Sequence, residues 1–292
     1  MTETKKLRVA FIGLGAMGYP MAGHLARAGQ DVCVFNRSPD KAERWVAEYG
    51  GCRASTPAEV AAGAAFVFTC VGNDHDVHQV ALGDQGAYQG MDRGAVFVDH
   101  TTTSADLARE LAAEADARGF SFLDAPVSGG QAGAEQGVLT IMTGGDRAAF
   151  DRAQLVMAHY ARAVTRMGPA GAGQLTKMVN QICIAGLVQS LSEGIAFAQN
   201  AGLDANKVID VISKGAAQSW QMENRSGTMI DDRFEFGFAV DWMRKDLGLC
   251  LEEAGRNGSV LPVAALVDQF YAEVQKRGGR RWDTSSLVRL LR

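Results

Sequence analysis

The sequence predicts an α/β unit on a mostly parallel sheet, followed by an all-α unit that opens with a long helix. Three observations carry this. Up to residue 168, short apolar strand patterns alternate with helical ones. Beyond residue 169 the strand patterns stop and segments with a helical period take over. Gly168-Pro169 and Gly171 interrupt both patterns, which places a first domain at 1–168 and a second at 169–292. A chain of 292 residues is long enough for two such domains.

LRVAFIG is a short apolar strand, and YPMAGHLARAG reads as a helix closed by Gly29. DVCVFN is a second strand, followed by a charged helix from Pro39 to Tyr49. AAFVFTCV and GAVFVDH are further β-rich runs, with helical stretches such as ADLARELAAEADARG between them. FSFLDAPVSGG, VLTIMTGG and AVTRMG continue the strand series. Short apolar strands at this spacing, with helices between, indicate a parallel sheet covered on both faces. In the second part, a long helix from about Ala172 precedes NKVIDVIS, WMRKDLGLCLEEAG and LPVAALVDQFYAEVQKRG.

Composition excludes several classes of function. Hydrophobic content of 47% with 21% charged residues describes a soluble globular protein. A formal charge of −4 provides no basic field for nucleic acid. Cys33, Cys52, Cys70, Cys183 and Cys250 are scattered singly, without ligand spacing, and the five histidines form no metal pattern. The expectation is therefore reduced thiols, a cytoplasmic location and no metal. Lys5, Lys6 and Arg8 before VAFIGLGAMG imitate a secretion signal, but glycines break that run. No stop-transfer run of about 20 apolar residues is expected, and hence no membrane partner. Lys276, Arg277, Arg280 and Arg281 surround a Gly-Gly turn and read as a solvated helix end.

Gly13-Leu14-Gly15-Ala16-Met17-Gly18 is a GxGxxG sequence that follows a strand and opens a helix, with Pro20 in its first turn. In that context it reads as a dinucleotide-binding turn. Gly13 makes the turn, Gly15 admits the pyrophosphate, and Gly18 lets helix and strand close up. The phosphates would rest on the helix N-terminus, where free N–H groups and the dipole favour anions. At the end of the second strand, where an NAD site usually carries Asp or Glu for the ribose 2′-hydroxyl, the chain has Asn36-Arg37-Ser38. An acidic group would repel a 2′-phosphate; Arg37 can stack on adenine and bind it, with Ser38 donating. NADP(H) is therefore expected in preference to NAD(H).

Two further segments carry chemistry. In DAPVSGG, Ser128-Gly129-Gly130 would expose consecutive backbone N–H groups beside a hydroxyl, a shape suited to a carboxylate or to an ordinary loop. In GAGQLTKMVNQ, Lys177 stands at the head of a helix so apolar that it should be buried. A buried ammonium is costly unless paired or used. Either Lys177 snorkels to solvent or it lines a polar cleft.

Taken together, GLGAMG, DAPVSGGQAGAEQGVLTIMTGG, GAGQLTKMVNQ and RKDLGL resemble, in order and over nearly the whole chain, the β-hydroxyacid dehydrogenases. That family includes 3-hydroxyisobutyrate dehydrogenase, tartronate semialdehyde reductase and the glyoxylate/succinic semialdehyde reductases. The resemblance implies a Rossmann domain, a long interdomain helix and an all-α C-terminal domain that helps close the cleft. It implies that Lys177 is the catalytic lysine, with Ser128, Gly129, Gly130 and Asn180 holding substrate. Lys245 would reach the nicotinamide side, and Thr102 in DHTTT would contact cofactor. Val71 and Gly72 stand where many members have Leu-Pro, and Asn180-Gln181 where many have Asn-Asn. Spacings of three and four put Asn180 and Gln181 near the helical face of Lys177.

The expected activity is NADPH-dependent reduction of a small carboxylate-bearing semialdehyde or keto acid, with Lys177 as general acid/base. An unperturbed lysine near pKa 10.4 is a poor base at neutral pH, so burial, with Lys245 nearby, is expected to lower it. The alternatives are an oxidative 3-hydroxyisobutyrate-type dehydrogenase, an imine reductase and an inactive dinucleotide-binding module. Lys177 argues against the last two. Trp220 and Arg225 in QSWQMENRSG are candidates for shaping the substrate pocket. A homodimer or homotetramer is expected from the apolar helical domain.

Overall fold

The computed structural model describes residues 6–292; Lys5, the first of the basic residues noted above, lies outside them. The first elements are β1 (Arg8–Ile12), α1 (Gly18–Arg27), β2 (Asp31–Phe35), α2 (Pro39–Tyr49), β3 (Cys52–Arg53), α3 (Pro57–Ala61), β4 (Phe66–Thr69) and α4 (Asp74–Leu82). They are followed by β5 (Val96–Asp99), α5 (Ala105–Arg118), β6 (Ser121–Asp124), β7 (Val127–Ser128), α6 (Gly130–Gln136), β8 (Leu139–Gly145), α7 (Arg147–Met157) and β9 (Ala161–Gly168). The remainder is helical: α8 (Ala172–Asn200), α9 (Ala205–Ile212), α10 (Trp220–Ile230), α11 (Val240–Asn257) and α12 (Pro262–Lys276). The chain packs as two compact units, Met1–Lys177 and Met178–Arg292, which divide inside α8.

In the first unit the strands run β3-β2-β1-β4-β5-β6, all parallel, and the sheet continues through β8, antiparallel to β6 and β7, with β9 parallel to β8. Alternate residues of β1 serve opposite cores. Val9 and Phe11 pack with Val32, Val34 and Phe68, whereas Ala10 and Ile12 pack with Val67 and Phe97. Strands buried on both faces read as continuous apolar runs, which is why they stood out in the sequence. DAPVSGG is not one strand. β6 ends at Asp124, Ala125-Pro126 interrupts the ladder because proline has no N–H to give, and the chain resumes as β7 against β8.

Two expectations are corrected. The β2–β3 register sets Cys33 opposite Cys52 with Cα atoms 4.5 Å apart, and the pair forms a disulfide. Pairing in a parallel sheet, rather than any Cys-x-x-Cys spacing, brought them together; Cys70, Cys183 and Cys250 carry thiols. Among the described residues α8 is long and apolar enough to cross a membrane by length and composition, with mean hydropathy 1.3 and half of that window buried. Its inward residues build the second unit's core. Ala185 and Val188 pack with Val240, Met243 and Leu247 of α11 and Val267 and Tyr271 of α12. Leu191 and Ile195 pack with Met222 and Met229 of α10. Outward, Val179 and Phe197 stand 60% and 73% exposed. The sequence reading missed α10, although Ser219 carries the signal: its side chain caps the helix by accepting from the Met222 amide.

One buried carboxylate sets the start of α8. Asp124, at the end of β6, accepts from the Gly171 amide at 2.8 Å and the Gln174 amide at 2.9 Å. The free amides of a helix's first turn are usually capped from the residue before it; here the cap comes from a strand 47 residues upstream. Glycine at 173 leaves the room, because a Cβ there would collide with Asp124 and with the Met142 carbonyl. Burial raises the Asp124 pKa against the lowering pull of these amides. Asp99, its register partner on β5, is also buried, and desolvation pushes its carboxyl up to about 7. Bonding from Thr101 opposes that rise, and the charges of Asp124 and Asp74 add to it.

Asp124→Ala strands two buried N–H groups, and the expected cost is about 2–4 kcal/mol of unfolding free energy by denaturant titration. Asp99 gives a pH test. Its folded pKa, about 7, lies above the ordinary value of 3.8, so the folded state keeps a proton that the unfolded chain releases. That stabilisation is complete below about pH 4 and is lost as pH rises through about 7. The melting temperature of Asp99→Asn minus that of the native protein should therefore climb from pH 5 to pH 8; a flat difference would refute the assignment. The buried His100, whose pKa desolvation lowers to about 4, contributes with the opposite sign and cancels in the difference.

Candidate active site

The strand order reverses between β1 and β4, and dinucleotides bind in the crevice outside such a switch point. The two loops that form it touch. Gly13 runs left-handed with φ +95°, and a side chain there would strike the Cys70 carbonyl at the end of β4. The Gly13 amide donates to the Phe35 carbonyl at 2.9 Å, which pins the turn to the end of β2. Gly15 faces open space, as close approach of a pyrophosphate requires. Behind it, Met17 precedes α1 without a side-chain cap, and the first turn holds no acidic residue. An uncapped helix start with no carboxylate nearby fits a dianionic bridge.

Asn36, Arg37 and Ser38 divide the work at the end of β2. Asn36 is committed to the protein: its Oδ1 accepts from the Leu14 amide at 2.8 Å, and its Nδ2 donates to the Ser38 carbonyl at 3.0 Å. It holds the glycine turn in shape. The Arg37 side chain is 91% exposed and lies 3.7 Å from Asp76 of α4, and Ser38 precedes α2 without using its hydroxyl as a cap. Both fit a group at the rim, and no acidic residue occupies either position.

Around the loops after β4 and β5 a buried network forms. The Val71 amide donates to Thr101 Oγ1 at 3.0 Å, and the Thr101 amide donates to Asp99 Oδ1 at 2.9 Å. Gln174 Nε2 donates to the Thr101 carbonyl at 2.7 Å, and the Thr103 amide donates to Gln174 Oε1 at 3.1 Å. Thr102 is half-buried between them. His100 is buried and neutral, its pKa lowered to about 4 by desolvation. Its Nδ1 lies 2.6 Å from the Ala125 carbonyl, so that nitrogen carries the proton, and Nε2 accepts from Tyr160 Oη at 2.9 Å. This histidine fastens β5 to β6 and is a structural residue.

Lys177 lies one helical turn beyond Gln174 on the same face of α8 and is 8% exposed. It does not snorkel. Ser128 is half-buried in β7 opposite Thr140, and Gly129 and Gly130 are exposed with φ of 130° and 60°. In the second unit, Asn180 Nδ2 donates to Gln181 Oε1 at 2.8 Å, and Gln181 Nε2 donates to Asp246 Oδ2 at 2.6 Å. Lys245 Nζ lies 3.0 Å from Asp246 Oδ1. Gln181, in the place of the second asparagine, thus couples Asn180 to the RKDLGL segment. Arg225 is occupied elsewhere, lying 3.4 Å from the buried Asp283 and stacked on the rings of Trp220 and Phe236. Trp220 is 48% exposed.

The sequence reading missed Asp124, Gln174, Asp99 and Asp246. Two of them were visible as polar residues inside otherwise apolar runs: Asp124 after FSFL and Asp99 after VFV. Asp246 and Gln174 carried no signal apart from their neighbours.

Comparison with known proteins agrees with this architecture. Residues 8–168 match the family described as the NAD binding domain of 6-phosphogluconate dehydrogenase. Residues 171–291 match that described as NAD-binding of NADP-dependent 3-hydroxyisobutyrate dehydrogenase. An uncharacterized oxidoreductase of Shewanella frigidimarina is 64% identical over 281 residues, 96% of this chain and 97% of its own. The 2-hydroxy-3-oxopropionate reductase of Escherichia coli is 34% identical over 285 residues, 98% of this chain and 97% of its own. The solved 3-hydroxyisobutyrate dehydrogenase of Mycobacterium tuberculosis with L-serine superposes with a TM-score of 0.89 at 30% identity, covering 98% of this chain and 99% of that one. These matches run along the whole chain: the protein belongs to the β-hydroxyacid dehydrogenases and is an NAD(P)-binding oxidoreductase of that family.

Proposed function

We propose that this protein is an NADPH-dependent reductase that converts a small carboxylate-bearing semialdehyde or keto acid to the hydroxy acid. The observation that carries the reading is Lys177, a lysine 8% exposed. It stands on a helix whose first turn is bonded to the loop beside the dinucleotide crevice. An amine kept from water in that place suits a proton donor. The name of the Escherichia coli relative, a 2-hydroxy-3-oxopropionate reductase, supports the reductive direction and the substrate class.

Bound NADPH would supply the hydride, and the protein supplies position and charge. Lys177 gives its proton to the substrate oxygen as negative charge develops there, and its cationic form favours that charge beforehand. In the reverse direction the neutral amine takes the proton back. The Ser128 hydroxyl and the amides of Gly129 and Gly130 hold the substrate carboxylate, with Asn180 as a further polar contact. Arg37 and Ser38 hold the ribose 2′-phosphate, and the glycine turn at residues 15–18, at the start of α1, holds the pyrophosphate. Val71, Gly72, Thr102 and Lys245 serve the nicotinamide side. We also propose a homodimer or homotetramer, because Val179 and Phe197 of α8 and Val263 and Leu266 of α12 are all more than half exposed.

Lys177→Ala should lower turnover of NADPH with succinic or tartronate semialdehyde by about 10²–10⁴-fold while NADPH fluorescence still reports binding. Turnover near the native level would exclude the lysine as the acid. Arg37→Ala should weaken NADPH by about 10-fold or more, as loss of a charge-assisted contact to phosphate does, and leave NADH nearly unchanged. Equal losses for the two cofactors would remove the NADP assignment.

A further inference from the structure

Gln174 is fully buried, and all its side-chain hydrogen-bonding atoms face one loop. Its amide behaves as an inserted peptide group. The N–H end meets the Thr101 carbonyl at 2.7 Å, and the oxygen end receives the Thr103 amide at 3.1 Å. Donor and acceptor of residues two apart are the pair that a neighbouring strand would engage, so the glutamine acts as a one-residue strand and spans Thr102. That loop is bonded in turn to the β4 exit through Thr101 Oγ1 and the Val71 amide at 3.0 Å. At its other end, the Gln174 main-chain amide is held by Asp124 at 2.9 Å. The first turn of α8 is thereby fixed both along its axis and in rotation.

Rotation matters because of what comes next on the helix. Lys177 is three residues on, about one turn, and shares the face that Gln174 presents to the loop. A helix cap alone, such as Asp124, would set where α8 begins but leave its phase about the axis to packing. The glutamine amide sets the phase. We infer that Gln174 is a positioning residue: by bridging Thr101 and Thr103 it holds the Thr102 segment and the Lys177 side chain in one rigid frame, so that proton donor and cofactor loop keep a constant separation. The inference rests on Lys177 being the acid. It goes beyond that reading in assigning the alignment to one side chain that contacts neither substrate nor cofactor.

The test is Gln174→Met, which keeps volume and burial but removes both bonds, measured beside Lys177→Ala with NADPH and succinic or tartronate semialdehyde. Small displacements of a catalytic group cost about 10- to 100-fold. The expected result is a fall of that size in kcat, with KM for the aldehyde and Kd for NADPH each within about 3-fold of native. Faster hydrogen exchange at the Thr103 amide should accompany it. A native kcat in Gln174→Met, with Lys177→Ala inactive, overturns the positioning role and leaves the reductase reading standing. So does a loss of NADPH binding in step with kcat, since that marks a structural defect. Turnover surviving in Lys177→Ala overturns both. If the methionine variant does not fold, Gln174→Leu carries the same expectations.

Discussion

A carboxylate buried under a helix is the constraint on which the site depends. Asp124 ends β6, the last strand of the all-parallel run β3-β2-β1-β4-β5-β6, and its two oxygens receive the Gly171 and Gln174 amides. Sheet and helix are thus joined through charge-assisted bonds rather than through apolar packing alone, which would tolerate sliding. The arrangement is costly in isolation, since burial raises the pKa of the carboxyl. The helix dipole and its orphan amides offset that cost. Glycine at 144 and 173 is part of the device, because a side chain at either position would collide with Asp124.

From this anchor the polar face of α8 can be followed upward. Gln174, Lys177 and Gln181 fall on one face at spacings of three and four, and all three are buried. In the first unit Gln174 bonds to the Thr101–Thr103 loop, and in the second Gln181 bonds to Asp246, beside Lys245. Each glutamine has partners that fix its orientation, and the lysine stands between them along the helix. A buried polar network of this kind is worth having only when its members are satisfied. These bonds fix the two glutamines that precede and follow Lys177 along the helix.

The cofactor side is built on a different logic. The glycine turn is held by bonds from Gly13 to Phe35 and from Leu14 to Asn36, and it leads into a helix with no side-chain cap and no acidic residue in its first turn. Asn36 therefore shapes the turn from behind, while Arg37 stands exposed at the rim and the Ser38 hydroxyl does not cap α2. The disulfide between Cys33 and Cys52 ties β2 to the short edge strand β3 just before this segment.

The sequence by itself determined the class of fold, the dinucleotide turn and the presence of a lysine in a buried helix. Strands buried on both faces must be apolar throughout, a glycine turn needs its glycines, and a charge in an apolar helix is conspicuous against its neighbours. Those signals are local. Tertiary structure alone decided the pairing of Cys33 with Cys52, the commitment of Asn36 to the turn, the employment of Arg225 by Asp283, and the roles of Asp124, Gln174 and Asp246. Each depends on a partner 19 to 73 residues away in the chain. A side-chain hydrogen bond leaves no periodicity in the sequence: the residue types say what could be bonded, and only strand register and helix phase say to what.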